Sequence, residues 1–186
     1  MNTPMIDYSL IADAVSFYQK RHWENVPAPW FVDINSIQST LPPESQSFNT
    51  SWGELVGSAE QSFVQLSIEK KLKPGKYQAT TPCFRDDPED LYHFRIFMKT
   101  ELFQNVNVNS SSLENVIEDA FSFFSRYLLV KVVKTNTDTF DIVSNTTNLE
   151  LGSYGIRHND DLELSWIYGT GCAEPRLSQA MQNKNK

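Results

Sequence analysis

Between Tyr77 and Phe103 the chain reads as two strands joined by a charged turn, and this hairpin carries the residues best suited to chemistry. Phe84 and Arg85 close the first strand; Pro88 with Asp86, Asp87, Glu89 and Asp90 marks the turn. Side chains alternate between the faces of a strand. On the second strand, Phe94, Ile96, Met98 and Leu102 therefore share one face, and His93, Arg95, Phe97, Lys99 and Glu101 share the other. A single ring among cations and an acid, beside Arg85, suits a ligand that is both flat and anionic. A planar guanidinium binds a carboxylate or phosphate through two parallel hydrogen bonds. An amphipathic hairpin with a merely solvated outer face satisfies the same alternation, so the rest of the chain has to separate the two readings.

Other elements must hold that hairpin in place. Ser9 can cap a helix running to about His22, with Leu10, Ile11, Ala14, Val15 and Tyr18 on one face. Pro27 and Pro29 end helical structure, and a strand is expected over residues 30–34. Trp23, Trp30 and Phe31 cluster there, as core or as a subunit contact. Residues 35–50 are polar, carry two adjacent prolines and read as a loop, either a lid or a connector. A second helix opens near Ser58, which with Gln61 fits a capping box. Glu60 then lies in the first turn, where the positive end of the helix dipole stabilises a carboxylate. Ser111 or Ser112 caps the most regular helix, whose stripe from Leu113 to Leu128 is core. Short strands are expected at residues 130–133, 140–143 and 149–151, followed by a last hairpin in which Leu162, Leu164, Trp166 and Tyr168 alternate. Gly169-Thr170-Gly171 should break that final strand, and Pro175 suits the first turn of a closing helix. No repeat or linker divides the chain, so residues 1–186 are expected to form a single α+β domain with an antiparallel sheet.

Composition narrows the function. Hydrophobic residues make up 40% and charged residues 21% of 186 residues, a globular balance. The net charge of −7 argues against a broad nucleic-acid footprint, so DNA is not expected as a partner. No apolar run reaches membrane-spanning length and no signal segment opens the chain, so no membrane association is expected. Cys83 and Cys172 are the only cysteines, which suggests free thiols in a reducing, cytoplasmic setting.

Three stretches, in order, resemble the catalytic core of class II aminoacyl-tRNA synthetases, with most likeness to the aspartyl/asparaginyl branch that includes ammonia-dependent asparagine synthetase. The stretch that begins at Phe17 and ends at Pro29 resembles motif 1, which implies a homodimer through that region. Pro82-Cys83-Phe84-Arg85-Asp86-Asp87 with His93, Phe97 and Glu101 is similar to motif 2. The resemblance implies ATP binding by Arg85, Asp87, His93 and Phe97: Arg85 at the α-phosphate and substrate carboxylate, Phe97 under adenine, His93 near the outer phosphates. Asp87 stands where the family usually has Glu, and Tyr92 and Ile96 also depart from its pattern. Glu150-Leu151-Gly152 running to Ile156-Arg157 resembles the segment that holds Mg-ATP and reads the side chain. It implies Glu150 as a Mg2+ ligand, with Asp141 as a second acid, and Arg157 as the reader of aspartate or asparagine. Gly169 to Arg176 looks like motif 3. There Gly169 and Gly171 would admit the nucleotide and Arg176 would hold the γ-phosphate, with Arg85 and Arg176 the catalytic pair. Ser58, Glu60 and Gln61 fall where the family binds the α-amino group, Glu60 being favoured. The implied activity is ATP- and Mg2+-dependent activation of an amino acid to its adenylate. With no room for an anticodon-binding domain, tRNA is left open as a partner; ammonia, a small metabolite, a protein or an RNA remain as acceptors. A catalytically idle, dimeric nucleotide- or amino-acid-binding paralogue is the alternative.

Overall fold

The computed structural model describes residues 5–42, 45–86 and 92–182. In chain order it comprises α1 (Tyr8–Gln19), β1 (Glu24–Asn25), β2 (Phe31–Val32), α2 (Ile34–Gln38), β3 (Phe48–Thr50), β4 (Gly53–Leu55), α3 (Ala59–Ile68), β5 (Lys76–Phe84), β6 (Ile96–Gln104) and α4 (Ser110–Phe124). There follow β7 (Val130–Asn136), β8 (Thr139–Ser144), β9 (Glu150–Asn159), β10 (Leu164–Glu174) and α5 (Arg176–Gln182). Seven strands form one sheet in the order β1-β5-β6-β10-β9-β8-β7, and β2-β4-β3 form a small second sheet. All neighbours in the large sheet run antiparallel except β1, which pairs parallel with β5. The α+β expectation therefore holds. No helix among the described residues is long and apolar enough to cross a membrane.

Burying both faces of the large sheet requires helices on each. On one face, Leu10, Ala14 and Tyr18 of α1 and Leu113, Val116 and Phe123 of α4 cover Leu102, Tyr154 and Ile167. The periodic stripe read in α4 is thus core, although the helix ends at Phe124 and Leu128 packs from the turn beyond it. On the other face α3 brings Phe63 onto Phe103 (ring centroids 4.9 Å apart), and Phe103 stacks in turn on Trp166 at 6.1 Å. This smaller core of Phe63, Phe103 and Trp166 is the platform beside which the functional side chains stand.

Several local expectations are corrected. The caps of α1 and α4 are Asp7 and Asn109, whose carboxylate and amide oxygens accept from Ser9 N and Ser112 N. These Asx side chains, two or three residues before the expected serines, reach the orphan N–H groups instead. Residues 35–50 are not a bare loop, because α2 and β3 fall inside them, held by Gln65, whose Oε1 accepts from Asp33 N and Ser36 Oγ. The strand expected over residues 30–34 shrinks to β2, since Ile34 already begins α2. Gly169-Thr170-Gly171 does not break β10; a bulge between Thr170 and Cys172 absorbs the irregularity and pairing with β6 continues to Glu174. Trp23 is core, 1% exposed, whereas Trp30 is 51% exposed.

Candidate functional site

The α3 face of the sheet opens into a cavity of about 180 Å³ where β6, β9 and β10 pass under the start of α3. Phe97 and Lys99 rise from β6, Arg157 from β9 and Tyr168 from β10; Glu60 closes the cavity from α3, and Arg85 borders it just beyond β5. A second cavity of about 190 Å³ shares Ser58, Glu60, Arg85 and Arg157 with the first and extends under Ile37, Leu41 and Ser47. A narrow hollow of about 20 Å³ lies behind Phe97, between His93 and Arg176. Arg85 borders all three spaces.

The charges of this site are arranged in pairs. Glu60, 6% exposed, accepts through Oε1 from Arg157 Nε at 2.9 Å and from Trp166 Nε1 at 2.7 Å. Arg157 also lies over the Tyr168 ring, 4.7 Å from its centroid. Its orientation is therefore fixed by two side chains, while neither terminal guanidinium nitrogen bonds a described residue. Arg176 Nη1 approaches Glu150 Oε1 at 3.3 Å. Lys99 Nζ stands 2.6 Å from Glu101 Oε2, with the two side chains 11% and 0% exposed. Burial raises the Glu101 carboxyl to about 7; Lys99 opposes that shift, Glu60 adds to it, and Arg85 opposes it more weakly. Of the four cations that line the main cavity, Arg85 is the one without a carboxylate partner among the described residues. Its Nε donates to Gly57 O at 3.0 Å and its guanidinium lies 5.2 Å from the Phe97 ring centroid. The backbone N–H of Arg85 donates to Arg95 O at 2.9 Å, so the hairpin itself sets its position.

These placements decide between the two readings of the opening hairpin. The expected face divides: it is cavity floor at Phe97 and Lys99 and sealed interior at Glu101, whereas His93 and Arg95, which precede β6, are exposed. Arg85, Phe97, Glu150, Arg157, Arg176, Ser58 and Glu60 come together around one space. His93 borders the hollow behind Phe97. Asp87 lies outside the described residues. Ser58 is the N-cap of α3, its Oγ accepting from Glu60 N at 3.3 Å, and Gln61 Oε1 accepts from Gly57 N at 2.6 Å. Each bond is one residue away from the capping-box pattern, and both residues line the second cavity.

Gly169 and Gly171 have a different reason from the one expected. A Cβ on Gly169 would come 2.6 Å from Tyr154 Cδ1, and one on Gly171 would come 2.9 Å from Tyr18 Cε2, both in the core on the opposite face of the sheet. Tyr154 and Tyr18 donate to Thr170 O and Gly171 O at 2.7 and 2.9 Å. The glycines thus admit two buried tyrosines, and neither lines a cavity described above. Asp141 also stands back from the main cavity, one strand further out, opposite Ser153. Burial pushes its carboxyl up, the hydrogen bond from Ser153 pulls it back, and Glu150 adds to the push. Two neighbouring carboxylates suit Mg2+, which takes one or two of them and completes its shell with phosphate oxygens and water. No ready-made cluster of three His, Cys, Asp or Glu exists among the described residues.

Sequence reasoning placed Lys99 and Glu101 on the right face but gave neither a role, and it missed Trp166 as the second donor to Glu60. The parity of Lys99 and Glu101 with Phe97 was the available signal; the contact between Trp166 and Glu60 joins residues 106 positions apart and leaves no local trace.

No protein-family model matches the sequence, and no curated protein does. Solved structures do. The chain is similar to a pyrrolysyl-tRNA synthetase, PylSc of Desulfitobacterium hafniense, at TM-score 0.76 and 15% identity, covering 95% of this chain and 69% of that one. The fold is that of a class II aminoacyl-tRNA synthetase catalytic core. A cytoplasmic serine-tRNA ligase from Naegleria fowleri, solved in complex with AMP, superposes at TM-score 0.74 and 15% identity. That alignment covers 96% of this chain but spans only 54% of the seryl protein.

Proposed function

We propose that this protein is an ATP-dependent ligase that activates an amino acid as its adenylate, with aspartate or asparagine as the substrate. The observation that carries the reading is Arg85, a guanidinium with no carboxylate partner among the described residues, set against the Phe97 ring at the meeting point of three cavities. In an acidic chain such a cation is where the phosphate of a nucleotide would be drawn, with the base on Phe97. The substrate carboxylate, already ionised, attacks the α-phosphorus; an oxygen–phosphorus bond forms and the bond to pyrophosphate breaks, so no general base is required. Arg85 meets the charge that develops at phosphorus. Arg176, steadied by Glu150, faces the leaving phosphates. Mg2+, carried by Glu150 with Asp141 behind it, would neutralise phosphate charge. The free ends of the Arg157 guanidinium match a β-carboxylate or β-amide, and Glu60 Oε2, which makes no bond to a described residue, is the acceptor offered to the α-amino group.

The acceptor of the acyl group is proposed to be ammonia, a small metabolite, a protein or an RNA, with tRNA left open. A homodimer through the stretch from Phe17 to Pro29 is part of the same proposal, and β1, an exposed edge strand within it, supports it. Two buried free thiols, Cys83 and Cys172, fit a cytoplasmic location. One observation favours the idle paralogue: three of the four cavity cations are already paired with carboxylates of the protein itself. Exchange of labelled pyrophosphate into ATP, screened across twenty amino acids, decides. Exchange strongest with aspartate or asparagine is expected; ATP binding with no exchange for any amino acid would leave the idle binder standing.

A further inference from the structure

Lys99 is the cavity cation that the activation scheme above leaves without a task. It sits two residues along β6 from Phe97, opposite Thr81 on β5 and Ala173 on β10, and lines the main cavity together with Arg85. Lysine carries rotamer freedom that is costly to quench, yet this one is only 11% exposed and is held 2.6 Å from a carboxylate sealed completely from solvent. Neither carboxylate oxygen of Glu101 has a partner in hydrogen-bonding geometry among the described residues, so Oε2 meets Lys99 as a close ion pair and Oε1 meets nothing. A buried ion pair left incomplete in this way is a poor stabilising device, because desolvating both charges offsets their attraction. Its placement fits a different use, which is to aim an ammonium into the cavity that Phe97 and Arg85 also line.

We propose that Lys99 is a second cation at the reacting α-phosphate, beside Arg85, and that Glu101 is the positioning residue that holds it there. The inference rests on the adenylation reading. As the carboxylate oxygen bonds to phosphorus and the electron pair of the breaking bond leaves with pyrophosphate, negative charge accumulates on the α-phosphoryl oxygens. Lys99 meets that charge without giving up its proton. The charged or titratable groups around Glu101 are Lys99 on β6, Cys83 on β5, Arg85 past β5, Glu60 on α3 and Tyr154 on β9. Lys99 is the one in contact with its carboxylate. Above the carboxyl's pKa of about 7 the ionised Glu101 anchors Lys99; below it, the protonated acid lets the ammonium wander.

Steady-state pyrophosphate exchange tests this. Lys99→Met should lower kcat on the order of 10²-fold, the usual loss for one preorganised electrostatic contact, while the KM values for ATP and amino acid shift by no more than about threefold. Lys99→Arg should recover part of the loss. Wild-type kcat should rise as pH passes about 7, and Glu101→Gln should flatten that rise, which a purely structural glutamate would not do. Because Lys99→Met strands a buried carboxylate, the double variant Lys99→Met/Glu101→Gln removes both charges; it should melt near the wild-type temperature and keep the low kcat. A Lys99→Met kcat within about twofold of wild type, or an inflection that survives in Glu101→Gln, overturns the proposal. Absence of exchange in the wild type defeats the adenylation reading instead. Calorimetric titration with AMP then decides for Lys99: about tenfold weaker binding in Lys99→Met upholds contact with the phosphate, and equal affinity overturns it.

Discussion

Replacing Arg157 by alanine separates its two jobs, holding Glu60 and meeting a substrate. At a charge separation of about 4 Å and an effective dielectric near 20, the pair attracts with about 4 kcal/mol. That figure is a ceiling. The Arg157 side chain is 38% exposed, so solvent screening and the entropy of fixing a long side chain remove most of it. Glu60 is only 8% exposed by side chain and keeps one donor, Trp166 Nε1, when Arg157 is lost. The balance is a destabilisation of about 1–2 kcal/mol, which for a chain of this size lowers Tm by roughly 3–6 °C. The effect on function should be larger and selective. Losing two charged hydrogen bonds to a substrate side chain corresponds to about 3 kcal/mol, or on the order of 10²-fold in kcat/KM for the amino acid. The KM for ATP should stay near the wild-type value, because Phe97, Arg85 and Arg176 are untouched. Arg157→Lys retains the ion pair but not the planar fork, and should recover Tm without recovering amino acid kcat/KM. Pyrophosphate exchange with the preferred amino acid, beside a thermal melt, measures both. A folded Arg157→Ala protein whose amino acid kcat/KM lies within about threefold of wild type would refute the assignment and leave Arg157 as nothing more than the partner of Glu60.

Three further outcomes follow from the same contacts. Phe97→Ala should raise the KM for ATP about tenfold, the worth of one base–aromatic stack, while Phe97→Tyr stays near wild type; ATP titration reads it. Gly169→Ala and Gly171→Ala should each lose about 1–3 kcal/mol in urea unfolding, because the new Cβ meets Tyr154 or Tyr18, with ATP affinity unchanged in the protein that remains folded. Glu101 has its folded pKa raised to about 7 from 4.5, so between those values the unfolded chain has released a proton that the folded chain keeps. Its contribution to stability is therefore present at low pH and declines as pH rises from about 4.5 to about 7. Denaturant melts across that window should show a gentler fall for Glu101→Gln; parallel curves for the two proteins would contradict the burial-driven shift.

What was legible in the sequence depended on range. The hairpin of β5 and β6 and the stripe of α4 are written in periods of two and of three to four residues, so a short window reveals them. Alternation also placed Phe97, Lys99 and Glu101 on one face, but it carries no information on what covers that face. Only α3, arriving with Phe63 and Glu60, turns it from surface into floor. The same limit explains the glycines. Gly169 and Gly171 look like a nucleotide-binding turn from sequence, because the two tyrosines that require the space come from positions 154 and 18 and reach the strand through its other face. Residues 35–50 misled for a third reason: α2 is five residues long, too short to show a period, and is held by Gln65 from a helix further along the chain.

The arrangement of charge also bears on where an anion would settle. The protein carries a net charge of −7, yet four cations line its main cavity. If all four were unpaired, mutual repulsion would either displace them or hold any anion loosely over a broad positive field. Instead Glu60, Glu101 and Glu150 each fix one cation through a single close oxygen contact, which orients the cation at the expense of its net field. Arg85 is fixed differently, by a carbonyl oxygen and an aromatic face, neither of which cancels its charge. Among the described residues, the cavity cation left without a carboxylate partner therefore stands at one point, where the three cavities meet. A ligand with its most concentrated negative charge in the middle and a flat base at one end, such as a nucleotide joined to a carboxylate through its α-phosphate, would place that charge on Arg85 and its base on Phe97.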